Sequence, residues 1–405
     1  MRLQQDARLI FNHALSSVDP RQAVKENLQF DTGSHPIYSI AIGKAATSMA
    51  LGLDDALGGR LTAGVLVSST PHNSNRWQSF IGGHPLPDES SLAAARAAFA
   101  LLDRANEEQA TVIFLISGGG SAMIEWPIND DISLRDLRAA NQDLISCGAS
   151  IAEINSVRRA FSAVKGGGLA RRSPRAQMFT LIVSDTNPGD ESSVASGPTL
   201  AAPPDAPNAI EVVERYSLDT VLPESIMSAI HQTKSSPEPI SGSHVVLRDN
   251  QTATRSAQQK AIELGYSCSV LEEVNEQPIQ EGCDLLLANP SCSISGGEFS
   301  CPVRGDGRGG RNLETALRCA LSLDNQTTNT VVLSAGTDGI DGNSPAAGAI
   351  ADETTIQRAR ALGLDAEQYL ARSDSYTFFE HLNDLVVTGP TGTNVRDLRI
   401  VLRSA

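Results

Sequence analysis

Short apolar runs recur along the chain, each running into a polar, glycine-bearing turn and then a segment with helical spacing. Tyr38 to Ile42 leads into Gly43-Lys44 and AATSMALGLDDAL. Ala63 to Val67 is followed by a Ser/Thr/Asn loop. Thr111 to Ile116 is bounded by Ser117-Gly118-Gly119-Gly120-Ser121, and Phe179 to Val183 stops at Ser184-Asp185. Further on, Val245 to Leu247 ends at Arg248-Asp249-Asn250, and Val331 to Leu333 ends at Ser334-Ala335-Gly336-Thr337-Asp338-Gly339. β-Branched runs alternating with helices predict buried parallel strands. In open α/β sheets ligands gather beyond the carboxyl ends of the strands, where all these polar loops fall.

Helix signals fit between the runs. Ser90 or Ser91 is placed to cap LAAARAAFALLDRA, and Ser133 with Asp136 opens a capping box before LRDLRAANQDLIS. Ile151, Ile154, Val157, Phe161 and Val164 mark one face of a further helix, ended by Gly166-Gly167-Gly168. The Ser/Pro-rich stretch 231–243 reads as a linker, which predicts domains over residues 1–235 and 241–405. A chain of 405 residues exceeds most single cores, so two domains also suit its length.

Charge and cysteine usage narrow the class. A formal net charge of −15 argues against a nucleic-acid or anionic-membrane surface. It leaves room for a small anion held by local Arg, Lys and backbone N–H groups. The 6 cysteines contain no C-x-x-C pair, so neither a zinc site nor a disulfide framework is expected. The N-terminal stretch lacks the apolar core of a signal peptide, and no apolar run is long enough to span a bilayer. A cytoplasmic protein is the expectation.

The candidate chemistry sits in the turns. Lys44 opens a helix after Gly43, adding a mobile charge to a helix start. Gly118, Gly119 and Gly120 allow close backbone approach, and Ser121 adds a hydroxyl, which suits a phosphate or carboxylate cradle or a tight turn. In SDTNPGDESSVASGPT, Asp185 at the strand end is the leading proton acceptor or Mg²⁺ ligand, with Asp190 behind it. VRGDGRGGRNLETAL formally holds G-x-G-x-x-G in Gly305, Gly307 and Gly310, but the preceding strand is short. Gly307, Arg308, Gly309, Gly310 and Arg311 at a helix start instead suit a polyphosphate. Asp338 and Asp341 lie in a glycine-rich loop, and Asn394 lies in the late loop TGPTGTNVRDL. His84, in GGHPLPDESS, reads as a packed loop histidine or a carboxylate contact. No GxxxxGK[ST] loop, G-x-S-x-G elbow or H-E-x-x-H motif is present.

Taken in order, AIGKAA, LISGGGSA, INSVRRAFSAVKGGGLA, SDTNPGDESSVASGPT, GRGGRN, LSAGTDGIDG and TGPTGTNVRDL resemble the glycerate 2-kinase family, whose C-terminal part is the MOFRL domain. The likeness runs from about residue 38 to residue 400. It implies two α/β domains with Rossmann-like parallel or mixed sheets flanked by helices, and an active site in the cleft between them. It implies Mg²⁺-dependent transfer of the ATP γ-phosphoryl group to the 2-hydroxyl of D-glycerate. The family's active-site lysine matches Lys44, its arginine Arg311 and its strand-end aspartate Asp185. The chain departs from the family at Arg159-Ala160-Phe161-Ser162, where a histidine is usual, and at Gly168, where an arginine is usual. Thr186-Asn187 also precede Pro188 as an extra-looking pair. Expected partners are a nucleotide and a small hydroxy acid, with a homo-oligomer allowed and no nucleic acid or membrane. Some family members carry the label hydroxypyruvate reductase, so an NAD(P)H-dependent reductase is the alternative, and a non-catalytic sensor of sugar acids a third reading.

Overall fold

The computed structural model describes residues 2–28, 35–233, 240, 242–326 and 328–404. Residues 234–239 and 241 of the expected linker, and with them the domain limits at 235 and 241, lie outside the described residues. Two compact units are present: Pro20–Leu247 forms one, and the first 19 residues join the stretch from Arg248 onward to form the other.

The first unit is built on a six-stranded sheet of β1 (Ile37–Ile42), β2 (Leu61–Ser68), β3 (Trp77–Ile81), β4 (Thr111–Ser117), β5 (Gln177–Val183) and β6 (Ser243–Arg248), in the order β3-β2-β1-β4-β5-β6. The pairings β1–β2, β1–β4, β2–β3 and β4–β5 are all parallel. Strands β1 and β4 are buried at every position, which is why they read as unbroken apolar runs. One face, including Tyr38, Ile40, Ile42, Val65, Val67, Val112 and Phe114, packs on Ala94, Ala95, Ala98 and Leu102 of helix Glu89–Glu107. The chain lays β2 and β3 to one side of β1 and β4 to β6 to the other, so the topological switch point falls between β1 and β4.

Local signals set the helices, with two corrections. Asp88, not Ser90 or Ser91, is the N-cap of helix Glu89–Glu107, and Ser91 is the third residue that bonds back to it. The Ser133/Asp136 capping box forms as expected. The helix read through Val164 stops at Phe161, and Ile151 is exposed. Ser162 turns extended because its hydroxyl bonds Glu125 and accepts from the Val164 and Lys165 amides.

The second unit holds β7 (Cys268–Val270), β8 (Cys292–Ser295), β9 (Thr330–Gly336), β10 (Gly348–Asp352), β11 (Leu385–Val386) and β12 (Asp397–Arg403), in the order β11-β10-β9-β12-β8-β7. Here the parallel expectation fails for Val331 to Leu333. Strand β9 pairs antiparallel with both β10 and β12, while β7 and β8 pair in parallel. Burial on both faces produces the same apolar run whichever way the neighbours point.

Helix Arg2–Ser17 belongs to this second unit, whereas the sequence assigned residues 1–235 to the first domain. Its Ala7, Ile10, Phe11 and Ala14 share a core with Ala257, Ile294, Leu333, Leu398 and Ile400. Asp6 accepts from the Tyr266 hydroxyl at 2.6 Å, and Val18 O accepts from Thr393 Oγ1 at 3.0 Å. An amphipathic helix shows which face it buries and not against which partner. Phe11→Ala is expected to cost the second unit about 3–5 kcal/mol. Hydrogen exchange checks it: amide protection should fall in β9 and β12 and hold in β1 and β4, and the reverse pattern would contradict the grouping.

Candidate active site

At the switch point of the first sheet, two turns interlock. The Gly43 N–H donates to Val67 O at 3.0 Å, and the Lys44 N–H donates to Gly118 O at 2.9 Å. Ser117 Oγ accepts from the Ala45 N–H at 3.0 Å and lies 3.2 Å from Ile42 O. Gly43 has φ +112°, and a Cβ there would stand 2.3 Å from Ser117 O, so no side chain fits.

The glycines after β4 are demanded by what surrounds them. A Cβ on Gly118 would lie 1.8 Å from Asp185 Oδ2. Gly119 is left-handed at φ +78°, and its Cβ would touch Lys44 Cγ at 3.0 Å. A Cβ on Gly120 would press on Ile42 Cγ2 at 2.7 Å and Ala195 Cβ at 2.9 Å. The backbone at 118–119 is thus sandwiched between the Asp185 carboxylate and the Lys44 stem. Lys44, Gly118, Gly119, Gly120, Ser121 and Asp185 come together as one cluster, as the strand-end argument predicts.

His84 joins them. Burial first, then the nearby Lys44 charge, push its pKa down from the ordinary value. Asp190 has a local part: its carboxylate accepts from Ser193 Oγ at 2.7 Å at the start of the 3-10 helix Glu191–Ser196. Sequence reading also passed over a buried ion pair of Lys165 with Glu125, each side chain 1% exposed. Only KGGG in a turn marked Lys165, and nothing in the local pattern marked Glu125.

In the second unit the arginine-rich turn is organised differently from a phosphate loop. The Gly307 N–H donates to Arg372 O at 3.0 Å, the Arg308 N–H to Asp374 Oδ1 at 3.0 Å and the Gly309 N–H to Asn343 Oδ1 at 2.8 Å. A Cβ on Gly307 would lie 2.5 Å from Asp374 Cβ, and one on Gly310 would lie 2.5 Å from Asp341 Oδ1. These glycines let the loop pack on its own unit, and three of its amides are committed there, which corrects the expectation that they reach phosphate oxygens. The Arg308 guanidinium stacks on Tyr376, 4.3 Å from the ring centroid. The dinucleotide fingerprint also lacks its context, since β8 ends at Ser295 and the glycines lie well along the loop that follows.

Arg311 opens helix Arg311–Leu323 and is held by carboxylates: Nε to Asp397 Oδ2 at 2.5 Å and Nη2 to Glu298 Oε1 at 2.7 Å. Asn312 Nδ2 donates to the same Asp397 at 2.9 Å. Asp341 caps this helix from a distant loop, accepting from the Asn312 and Leu313 amides at 3.1 and 2.8 Å. Burial pushes Asp341 up to about 7 against the pull of those amides. Asp341 is therefore a cap. Asp338 accepts from the Ile340 N–H at 3.2 Å, and Asn394, 9% exposed, accepts from the Arg396 N–H at 3.3 Å. Among the described residues no group of three or more His, Cys, Asp or Glu is placed to hold a metal ion.

The fold is a pair of α/β units, and the first carries Lys44 and Asp185 packed on the glycine turn at its sheet's switch point. Residues 6–231 match a domain family of unknown function (DUF4147), and residues 291–397 match the MOFRL family. A D-glycerate 2-kinase of Thermotoga maritima is 35% identical, the match covering 97% of this chain and 96% of the relative. A putative hydroxypyruvate reductase of Agrobacterium vitis is 36% identical over 98% of this chain and 94% of its own. The crystal structure of the Thermotoga maritima glycerate kinase superposes with a TM-score of 0.87 at 34% identity, covering all of both chains. The chain belongs to the MOFRL-containing glycerate 2-kinase family.

Gly118→Ala should drive the Asp185 carboxylate out of place. In a double-mutant cycle on unfolding free energy, its cost should shrink by about 1 kcal/mol or more in an Asp185→Ala background. Additive costs would show that the two residues do not press on one another.

Proposed function

We propose that this chain transfers the γ-phosphoryl group of ATP to the 2-hydroxyl of D-glycerate, giving 2-phospho-D-glycerate and ADP. The observation that carries the proposal is the packing of Lys44 and Asp185 on either side of Gly118-Gly119 at the sheet's switch point. That arrangement puts a cation and a carboxylate within one turn of each other, with backbone approach unobstructed by side chains. Phosphoryl transfer asks mainly for positioning and charge compensation. Lys44 neutralises charge on the transferring group. Asp185 orients the acceptor alcohol and takes its proton as the bond from the 2-oxygen to phosphorus forms and the bond to the β–γ bridging oxygen breaks.

Arg311, in the other unit, is proposed to pair with phosphate oxygens, and Asp397 and Glu298 hold its guanidinium from the protein side. Gly307, Gly309 and Gly310 shape the loop that leads to it. Asp338 and Asn394 line neighbouring turns in that unit and are proposed to contact nucleotide or substrate. The single strand-end carboxylate of Asp185 suits Mg²⁺ of the kind carried largely by nucleotide phosphates, which needs one or two protein carboxylates. When bound, that ion would offset phosphate charge. No helix among the described residues is long and apolar enough to cross a membrane, and the proposed setting is the cytoplasm.

The test incubates purified protein with ATP and Mg²⁺ against a panel of short hydroxy acids. ADP formation dependent on D-glycerate is expected; NADH oxidation with hydroxypyruvate and no ATP requirement would favour the reductase. Lys44→Ala and Arg311→Ala should each lower kcat by about 10²–10³. Near-normal turnover in either variant would remove that residue from its role.

A further inference from the structure

Arg159 stands in the last turn of helix Ile151–Phe161, half-buried. Its stem lies over the turn that follows the helix, where a Cβ on Gly166 would come within 3.2 Å of Arg159 Cγ. From there the guanidinium reaches the loop beyond β5, and Nη2 donates to Ser192 O at 2.9 Å. Nε is buried with no hydrogen-bond partner. Asp190 acts on Arg159 through its charge without an ion pair, its carboxylate being bonded to Ser193 Oγ. Burial lowers the Arg159 pKa from the ordinary value, with that charge pulling the other way. A guanidinium carries several N–H groups and no acceptor, and stays charged at neutral pH. Arg159 is thus a partly desolvated cation with hydrogens left uncommitted, a state that costs free energy until an anion completes it.

The loop that Arg159 reaches is the one that carries Asp185. Thr186 Oγ1 donates to Asp190 O at 3.0 Å, which folds residues 190–192 back beside the loop's first turn. The helix runs along the same loop. Asn155, one helical turn before Arg159, lies 2.8 Å from the Ser196 hydroxyl, and that hydroxyl lies 2.9 Å from Ser121 at the end of the glycine turn. Residues four apart share a helix face, so the face that bears Arg159 is turned toward the Asp185 loop. Lys44 lies across the Gly118-Gly119 backbone from Asp185, whereas Arg159 meets Asp185's own loop.

On the kinase reading above, we propose that Arg159 is the residue that binds the substrate's carboxylate. In a 2-hydroxy acid the carbon bearing the reacting alcohol also bears the carboxylate. A group that grips the carboxylate must therefore stand beside the group that takes the alcohol's proton. Arg159 reaches the Asp185 loop, and a planar guanidinium offers paired N–H groups that match both oxygens of a carboxylate. The charges are then divided: Lys44 takes the phosphoryl group, Arg159 the acid group, and Asp185 the alcohol between them. Such a site selects acids over neutral alcohols of the same shape.

The test compares kcat/KM for D-glycerate and for its neutral amide, D-glyceramide, in wild type, Arg159→Gln and Arg159→Lys. Where the amide binds without turnover, its inhibition constant takes the place of its kcat/KM. In Arg159→Gln the preference for acid over amide should fall about tenfold or more, the scale of a charge-assisted hydrogen bond, while the KM for ATP holds. Arg159→Lys keeps the charge and loses the paired geometry, so its preference should fall by less; it also serves if the glutamine variant does not fold. Equal losses on acid and amide would show an arginine that only braces the Ser192 turn, and would overturn the assignment. So would a raised KM for ATP with the preference unchanged, which is the mark of a phosphate contact. If wild type phosphorylates neither compound, the kinase reading fails, and calorimetry of the two compounds still reads Arg159. Acid-selective binding that is lost in Arg159→Gln supports its role, and no acid preference in wild type ends it.

Discussion

The backbone at Gly118 and Gly119 lies against Asp185 on one side and Lys44 on the other, with no room for a single carbon toward Asp185. Everything assigned to the first unit depends on that contact. A lysine at the end of one parallel strand and an aspartate at the end of another both pack on this turn because it has no side chains. β-Sheet geometry spaces adjacent strands about 4.7–4.9 Å apart, and β4 lies between β1 and β5. The Lys44 and Asp185 turns thus lie on either side of the central strand's exit.

The two units use glycine for different ends. In the first, Gly43 and Gly119 have left-handed backbones that bring the β1 and β4 turns around Lys44. In the second, Gly307, Gly309 and Gly310 allow one loop to settle on residues 372–376 and 341–343, and the Gly307, Arg308 and Gly309 amides donate to those neighbours. What that loop delivers is Arg311, braced by Asp397, whose side chain is 2% exposed. A buried carboxylate paired in this way fixes direction more than it adds stability.

Much of this was legible in the sequence, for identifiable reasons. Strands β1, β2, β4, β5 and β9 announced themselves because burial on both faces leaves uninterrupted apolar runs. Strand β12 did not, because it carries Asp397 and Arg399 inside. The Arg399 guanidinium is buried against the Gly296 and Gly297 carbonyls and lies 3.5 Å from the Phe299 ring centroid. No local pattern separates such charges from exposed ones. Nothing in the local pattern of helix Arg2–Ser17 named the elements it packs on, which lie far along the chain. Residue types and strand ends singled out Lys44, Asp185 and the Gly118–Ser121 turn, which the fold brings together. The contacts of Ser196 with Ser121 and Asn155 were not legible, since these residues lie 75 and 41 positions away from it.

The claim that the Lys44 turn is where the nucleotide's terminal phosphate is received can be tested directly by labelling. Lysine amines are acetylated briefly in the wild-type protein, with and without ATP and D-glycerate, and each site is quantified by mass spectrometry. Strong protection of Lys44 by the ligands, with exposed Lys25 labelled equally in both samples, is the predicted result. Equal labelling of Lys44 under saturating ligand would contradict the account.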